Sequence, residues 1–388
     1  MGILSNTVSI CQFKVVGEIP DIDTFAWVSE RLTRNGFVPI DVGTEELSVG
    51  WVAPDDHRIN DFSVPSAFWR DKYLFFTLRQ DKRSIPAALL KAYQKVAEEE
   101  FLFDNPGFTR VPKQKREELK ESVRISLLAR TLPVPSTCDA VWDTRSNTLS
   151  IASISAKTVE LFDNLFKKTF ENFRLVAIHP FSRAEDVIPP ELSEPLQKAN
   201  RAGSEAVLDL IRSNQWIGTD FFLWVTYRTL NESGEYRLVR PGPANVGESF
   251  TAYVNDRMVL CGSGDDGAQK ITISGPQDRF GEVRLALSNG KMITEAIIYL
   301  EKGEHIWKMT LKGEMFQFAS FKTPKVQEER DSGVDEASEK EALFFEKMYV
   351  MEVGLQMFDS LFAAFLSARL GQGWGEELQK IEAWLVEQ

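Results

Sequence analysis

The sequence predicts an α+β protein of more than one domain, built on antiparallel sheets. Three observations carry this. The chain has 388 residues, enough to bury a large core and to divide into two or three domains. From Tyr236 to Phe321 the pattern is strand and hairpin throughout, with Asn289-Gly290 as the strongest two-residue hairpin signal. Long helical stretches stand outside that run, at Lys113–Arg130 and Ala342–Leu370.

The elements follow in order. Val8–Val16 alternates as a strand does. Asp21–Asn35 reads as a helix with Asp21 or Asp23 as its cap, Phe25, Val28 and Leu32 on one face, and Gly36 as its stop. Gly50–Ala53 and Tyr73–Gln80 are strands joined by the loop Pro54–Arg70. Ile85–Phe103 is helical, and Asn105-Pro106-Gly107 turns the chain. The helix Lys113–Arg130 is bracketed by Pro112 and Pro133, and rich in Leu, Arg, Lys and Glu. Thr137–Ile154 is a hairpin turning at Arg145-Ser146-Asn147, followed by an amphipathic helix at Thr158–Phe170 and a strand near Leu175–Ile178. Pro180–Pro195 is the best linker candidate. Leu196–Ser213 reads as a helix, Phe221–Tyr227 as a strand, and Asn231–Gly234 as a turn. Ile293–Leu300, Glu304–Leu311 and Glu314–Phe321 are consecutive antiparallel strands. Val326–Glu341 reads as a flexible acidic linker, Ala342–Leu370 as an amphipathic helix, and Glu376–Val386 as a short final one.

The composition, 43% hydrophobic and 26% charged, is that of an ordinary soluble protein. No apolar run approaches bilayer length, and the first residues carry neither a signal-peptide pattern nor, with Asn6 where Ser or Thr is needed, a myristoylation site. Cys11, Cys138 and Cys261 have neither disulfide nor metal spacing, as expected in a reducing cytoplasm. No cofactor is expected. The net charge of −12 opposes nucleic-acid binding only if it is spread evenly. It is not. Lys113–Arg130 holds six Lys/Arg against three Glu, and Lys291–Lys325 six Lys against four Glu, whereas Glu328–Glu352 holds nine acids against three bases.

At 100° per residue, Lys113, Arg116, Lys120 and Arg124 form one stripe of the central helix, beside an apolar stripe of Leu119, Val123 and Leu127. The stripe is either a row of phosphate contacts, with Arg130 beyond it, or basic chains snorkelling round a buried seam. Lys308, Lys312 and Lys322 are separated by even numbers. With Lys291 they could form a basic sheet face beside a duplex, or simply a solvated one. Leu132-Pro133-Val134-Pro135 is either a helix stop entering a strand or an exposed apolar tip for a partner subunit. The late helix would bury Phe344, Phe345, Met348, Met351, Leu355, Phe358, Leu361, Phe362 and Phe365, in the chain's own core or partly in a subunit interface, where Phe358 and Phe362 are the candidates.

Other motifs are weaker. Gly262–Gly267 matches G-x-G-x-x-G, but lies between strand-like runs and carries Asp265 and Asp266, which repel phosphate. Asp139, Asp143 and Lys157 suggest a metal-dependent nuclease, yet Ser155 stands where an acidic ligand is wanted and Asp143 suits a turn. His57, His179 and His305 share no metal or triad spacing.

The run SLLARTL at Ser126–Leu132, the strand AVWDTRSNTLSIAS and the following ISAKTVELF resemble the recombination-associated RdgC family of DNA-binding proteins. GWVAP at Gly50–Pro54 and NGKMITEAIIYL at Asn289–Leu300 are similar to it in the same order. The resemblance implies a mixed α/β monomer shaped like a horseshoe, which dimerises into a ring around double-stranded DNA. It implies a central domain from 1–80 and 137–180, a helical tip at 81–136 and a base at 181–388. Leu132 matches the family's gate-contact aromatic, without the ring. Lys270, Gln277 and Arg279 match residues near the DNA channel. A non-enzymatic role in recombination and replication, antagonism of RecA and a place on the nucleoid in the cytoplasm are implied with it. Two readings compete: a metal-dependent exonuclease, and a protein-interaction factor that never touches DNA or membrane.

Overall fold

The computed structural model describes residues 2–20, 23–264, 267–276, 280–326 and 336–386. In chain order the elements are β1 (Thr7–Val16), α1 (Thr24–Arg34), β2 (Leu47–Val52), β3 (Trp69–Arg70), β4 (Tyr73–Lys82), α2 (Ala87–Asp104), α3 (Lys113–Arg130), β5 (Val134–Asp143), β6 (Thr148–Ile151), α4 (Ala156–Thr169), β7 (Arg174–Ala177), α5 (Pro180–Val187), α6 (Ser193–Ala199), α7 (Val207–Ser213), α8 (Trp216–Asn231), β8 (Glu235–Arg237), β9 (Ser249–Gly264), β10 (Gly267–Ser274), α9 (Gly281–Ser288), β11 (Met292–Lys302), β12 (His305–Lys312), β13 (Gln317–Lys322), α10 (Glu336–Leu370) and α11 (Trp374–Val386). This is the mixed α+β class with antiparallel pairing that the pattern predicts. The chain divides into two compact units: Met1–Val16, Asn147–Val159 and Leu175–Gln388 form one, Gly17–Ser146 and Glu160–Arg174 the other.

In the first unit the strands run β10-β9-β11-β12-β13-β1-β6, with β8 beside β9 and β7 beside β1. Their alternation is clean on β12, where Trp307, Met309 and Leu311 are buried while Lys308, Thr310 and Lys312 face outward. The inward side is covered by α8 and α10. Phe358 packs against Phe318 with ring centroids 5.0 Å apart, and Phe362 against Phe316 at 4.9 Å. Gly354 allows this approach: a Cβ there would stand 2.7 Å from the rings of both Phe321 and Trp307. Phe344, Met348, Met351, Leu355, Phe358, Leu361, Phe362 and Phe365 are all buried within the single chain. That corrects the assignment of Phe358 and Phe362 to a subunit interface, because the core of their own chain already takes both rings. It also corrects the expectation about bilayer length. Ser338–Leu370 is long and apolar enough to cross a membrane, and 72% of its most apolar window is buried inside the protein.

In the second unit the strands run β5-β4-β2, with β3 on β4. An aromatic core fills its inner side. Trp51 meets Phe76 at 5.0 Å and Phe162 at 5.2 Å, and Phe166 meets Phe170 at 4.9 Å. The one polar atom of Trp51, Nε1–H, donates to Thr169 Oγ1 at 2.7 Å, so its burial leaves nothing unsatisfied. Asp23 caps α1 by accepting from the Ala26 amide, whereas Asp21 lies outside the described residues.

Several sequence expectations fail for identifiable reasons. Phe221–Tyr227 is not a strand but the middle of α8, with Phe221, Phe222, Trp224, Val225 and Tyr227 buried. A helix covered on nearly every side has no apolar period to read. Pro180–Pro195 is no linker. His179 and Ser182 form a reciprocal cap on α5, Pro180 occupies its first turn, and Phe181, Arg183 and Ala184 are buried. Leu196–Ser213 is split into α6 and α7, with Asn214 Nδ2 bridging back to Asn200 Oδ1 at 2.7 Å. The strand run from Tyr236 is interrupted by α9. Asn289-Gly290 closes that helix instead of turning a hairpin: the Asn289 amide donates to Leu285 O and Gly290 has φ +79°. The left-handed conformation that suits a hairpin also suits a helix end. Of the expected linker Val326–Glu341, residues 327–335 lie outside the described residues, and the chain is helical from Glu336. The final helix α11 packs on the first unit by Ile381 and Trp384. Trp384 lies 5.8 Å from Tyr227 and under the Arg284 guanidinium at 5.6 Å.

Candidate nucleic-acid interface

The helix α3 occupies Lys113–Arg130, the boundaries its prolines dictate, with Pro112 at its N-cap. Only Leu127 and Leu128, at its root, are buried, and Leu119 and Val123 are half-buried, so the helix packs by one edge. The remaining circumference is solvated. Lys113, Lys120 and Arg130 are exposed and, among the described residues, make no ion pair. Arg116 and Arg124 differ. Arg116 Nε lies 3.3 Å from Glu98 of α2, and Arg124 pairs with Glu46, ahead of β2, and with Glu121 at 3.3 Å. The stripe is therefore divided into free cations and cations already held by carboxylates.

Arg83 fixes the base of this helix. Its side chain is buried, with only 2% of the residue exposed, and its guanidinium donates to the carbonyls of Ile40, Asp41, Gly43 and, at 3.2 Å, Leu128 in the last turn of α3. The acceptors among these contacts are all carbonyls. The negative end of the α3 dipole contributes to its stabilisation. Its own amide donates to Glu46 O at 2.9 Å. The segment from Ile40 to Glu46 is thus tied both to the C-terminal end of α3 and, through the Glu46 carboxylate, to Arg124. Sequence reading missed Arg83 and Glu46, because neither stands in a motif.

The second basic group stands on the outward face of the first unit's sheet. Lys308 is directly across from Lys322, and Lys312 across from Gln317. The left-handed Ser320 (φ +48°) introduces the irregularity that turns Phe318 and Phe321 both inward and Lys322 outward. Lys308, Lys312 and Lys322 therefore do share a face. Among the described residues Lys312 and Lys322 make no ion pair. Lys308 does, since its Nζ lies 2.6 Å from Asp256 Oδ2 and 4.9 Å from the centre of the Tyr299 ring. The ammonium, helped by the Tyr299 hydroxyl, holds the Asp256 carboxyl below its ordinary range. Asp256 and Tyr299 in turn raise Lys308. Tyr253 stacks on Tyr299 at 5.0 Å and donates to Glu301 at 2.6 Å; burial first, then that carboxylate, pushes its phenol up. Lys291 donates to Gln269 Oε1 at 3.0 Å, and Lys270 is exposed on the edge strand β10. Gln277 and Arg279 lie outside the described residues.

Leu132 and Val134 are 76% and 68% exposed, and Pro133 is half-buried. Val134 already pairs with Lys82 and Pro135 with Asp81 in the β5–β4 ladder. The LPVP run is thus both a helix stop entering a strand and an exposed apolar tip. The acidic residues of the nuclease reading are engaged otherwise. Asp139 is buried and accepts from Thr77 Oγ1 at 2.7 Å. Asp143 pairs with Lys72 at 3.0 Å and accepts from the amides of Arg145 and Ser146. Four residues apart on β5, the two carboxylates are about 13 Å apart along the strand, too far to share one ion. Lys157 is exposed at the start of α4. Among the described residues no cluster of three His, Cys, Asp or Glu has metal-holding geometry. Of the histidines, His179 is the buried cap of α5, and burial lowers its pKa. His57 offers its carbonyl to Arg79 at 2.8 Å, and His305 is exposed. The glycine-rich run is shared by two strands, Gly262 and Gly264 at the end of β9 and Gly267 at the start of β10, and Asp265 and Asp266 lie outside the described residues.

Residues 13–192 match the model of the RdgC family, described as "Putative exonuclease, RdgC". No curated protein matches the chain. The matched segment contains α3, Arg83, Glu46, Glu98 and the LPVP tip, whereas the patch at Asn289–Leu300 lies outside it. Over 180 of its 388 residues, then, the chain is similar to the RdgC family, in the segment that holds the patches at Gly50–Pro54 and Ser126–Phe162.

Proposed function

We propose that this chain binds double-stranded DNA without sequence preference and acts in recombination and replication. The observation that carries the reading is α3. It is an 18-residue helix that packs by one edge and is buried only at its root, and it presents Lys113, Lys120 and Arg130 to solvent without an ion pair among the described residues. Such cations gain most from neutralising phosphates, because counterions leave the polyanion and no internal bond is lost. Contacts of this kind fix position and carry no sequence information. The outward lysines Lys312 and Lys322 supply a second group of the same character. The RdgC match supports association with DNA.

The finer reading follows the family. Two copies close into a ring around the duplex, with the exposed Leu132 and Val134 in a contact between subunits, and the coat so formed restrains RecA on the nucleoid. The role is non-enzymatic. The description of the matched family as an exonuclease makes hydrolysis the second reading. The engagement of Asp139 by Thr77 and of Asp143 by Lys72 and its own turn favours the first.

A mobility shift on linear duplex at low salt tests the proposal. Retention should occur on unrelated sequences alike and should fall steeply with salt. The same duplex incubated with magnesium or manganese should remain intact. The solution mass should be that of two chains, with and without DNA. Absence of any shift at low salt would overturn the DNA reading, and strand loss with metal would replace it by the nuclease.

A further inference from the structure

The cations of α3 and of the sheet face are not equally available, and the difference has a pattern. Arg116, Arg124 and Lys308 are each held by a carboxylate from another element: Glu98 on α2, Glu46 ahead of β2, and Asp256 on β9. None of these carboxylates is needed to offset a buried charge. The side chains of Arg116, Arg124 and Lys308 are 49%, 38% and 36% exposed, so water would solvate each cation if its partner were absent. Two of the carboxylates are held in place by features that do not involve the cation. Glu46 is pinned through its backbone carbonyl by the amide of the buried Arg83. Asp256 sits in the left-handed region, φ +64°, where the register of β9 against β11 shifts. A non-glycine residue there is strained, and the bulge turns its carboxylate toward Lys308.

A carboxylate beside a guanidinium presents the same planar pair of acceptors that a phosphate offers. We propose that Glu46 and Glu98 in one unit, and Asp256 in the other, are internal phosphate surrogates, which occupy the cations beside them while these are empty and must be displaced when those cations take a phosphate. The inference rests on the DNA-binding reading above and adds regulation to it. Grip is graded: Lys113, Lys120 and Arg130 engage phosphate directly, whereas Arg116 and Arg124 engage only by exchanging one anion for another. Such an exchange releases counterions from DNA at the expense of an internal pair, so each guarded cation adds less affinity than a free one. The resulting hold is self-limited, as suits a protein that must coat a polymer and still move on it.

The test is a double-mutant cycle read by fluorescence anisotropy on a short linear duplex across a salt series. It uses the full chain with E121Q as the background, so that Glu121 cannot keep hold of Arg124, and compares E46Q, R124Q and E46Q/R124Q in it, with E117Q as a control. Glu117 lies on the same helix, exposed, so E117Q removes one negative charge without releasing an arginine from a partner. Breaking an exposed pair of this kind is worth about two- to fivefold in an equilibrium constant. E46Q should therefore tighten binding two- to fivefold more than E117Q does and steepen the salt dependence by up to about 0.9 of a power. In the R124Q background the same change should do nothing beyond what E117Q does. Equal tightening by E46Q and E117Q, or an undiminished effect without Arg124, would overturn the inference while leaving DNA binding intact. Wild-type protein that ignores duplex at the lowest salt would overturn the underlying reading, and this one with it. If E46Q loses its fold by circular dichroism, E98Q with R116Q gives the same cycle on the other guarded arginine.

Discussion

Neutralising Lys120 and Arg130 together is the sharpest test of where DNA sits. Both are exposed, neither has an ion partner among the described residues, and neither supports the packing of α3, which is anchored by Leu127, Leu128 and Arg83. Loss of fold is therefore not expected from K120Q/R130Q. The magnitude follows from counting phosphates. Each cation that neutralises one contributes about 0.9 to the slope of log affinity against log salt. With Lys113, the free cations of α3 account for a slope of about 2.7, equivalent to a loss of about 40-fold between 50 and 200 mM salt. After K120Q/R130Q the helix should contribute only about 0.9, a loss of about 3.5-fold over the same interval. The assay is anisotropy of a labelled duplex at five or six salt concentrations, repeated on a duplex of unrelated sequence. The slope should fall by about 1.8 on both. An unchanged slope would remove α3 from the interface, and a change confined to one sequence would refute the non-specific reading.

Two further predictions concern the scaffold that carries the site. R83M leaves the carbonyls of Ile40, Asp41, Gly43 and Leu128 without their donor in a buried setting. It should destabilise the protein by about 3 kcal/mol in urea unfolding, with lysine in its place recovering only part, since an ammonium cannot span four acceptors. A cost below about 1 kcal/mol would show that the clamp contributes little. His179 is held neutral, its pKa lowered from 6.5 by burial. Its folded-state pKa lies below the unfolded one, so its stability contribution is full above pH 6.5 and declines as pH falls toward the lowered value. H179N, which keeps a good helix cap, should flatten the stability profile in that window. A profile of unchanged steepness would place the acid sensitivity elsewhere.

What the sequence settled was local. The limits of α3 were legible because two prolines and an uninterrupted run of helix formers act within a few residues of one another. The strands β11, β12 and β13 were legible for the same reason, since period-two alternation is a property of neighbours. Even spacing placed Lys308 and Lys312 on one face of one strand, whereas Lys322 joins them from the next strand only through the irregularity at Ser320, which no spacing rule shows. The α8 segment was illegible because burial on nearly all sides erases the contrast that a period requires. Asn289-Gly290 was misread because one left-handed conformation serves two kinds of chain reversal. The decisive omission was electrostatic. Arg124 meets Glu46 across 78 residues of chain, and Lys308 meets Asp256 across 52. A linear count of charges registers such residues only as opposite signs in distant segments. Whether a cation is free for phosphate or already held is decided by Coulomb attraction at a few ångströms, and only the folded chain sets those distances.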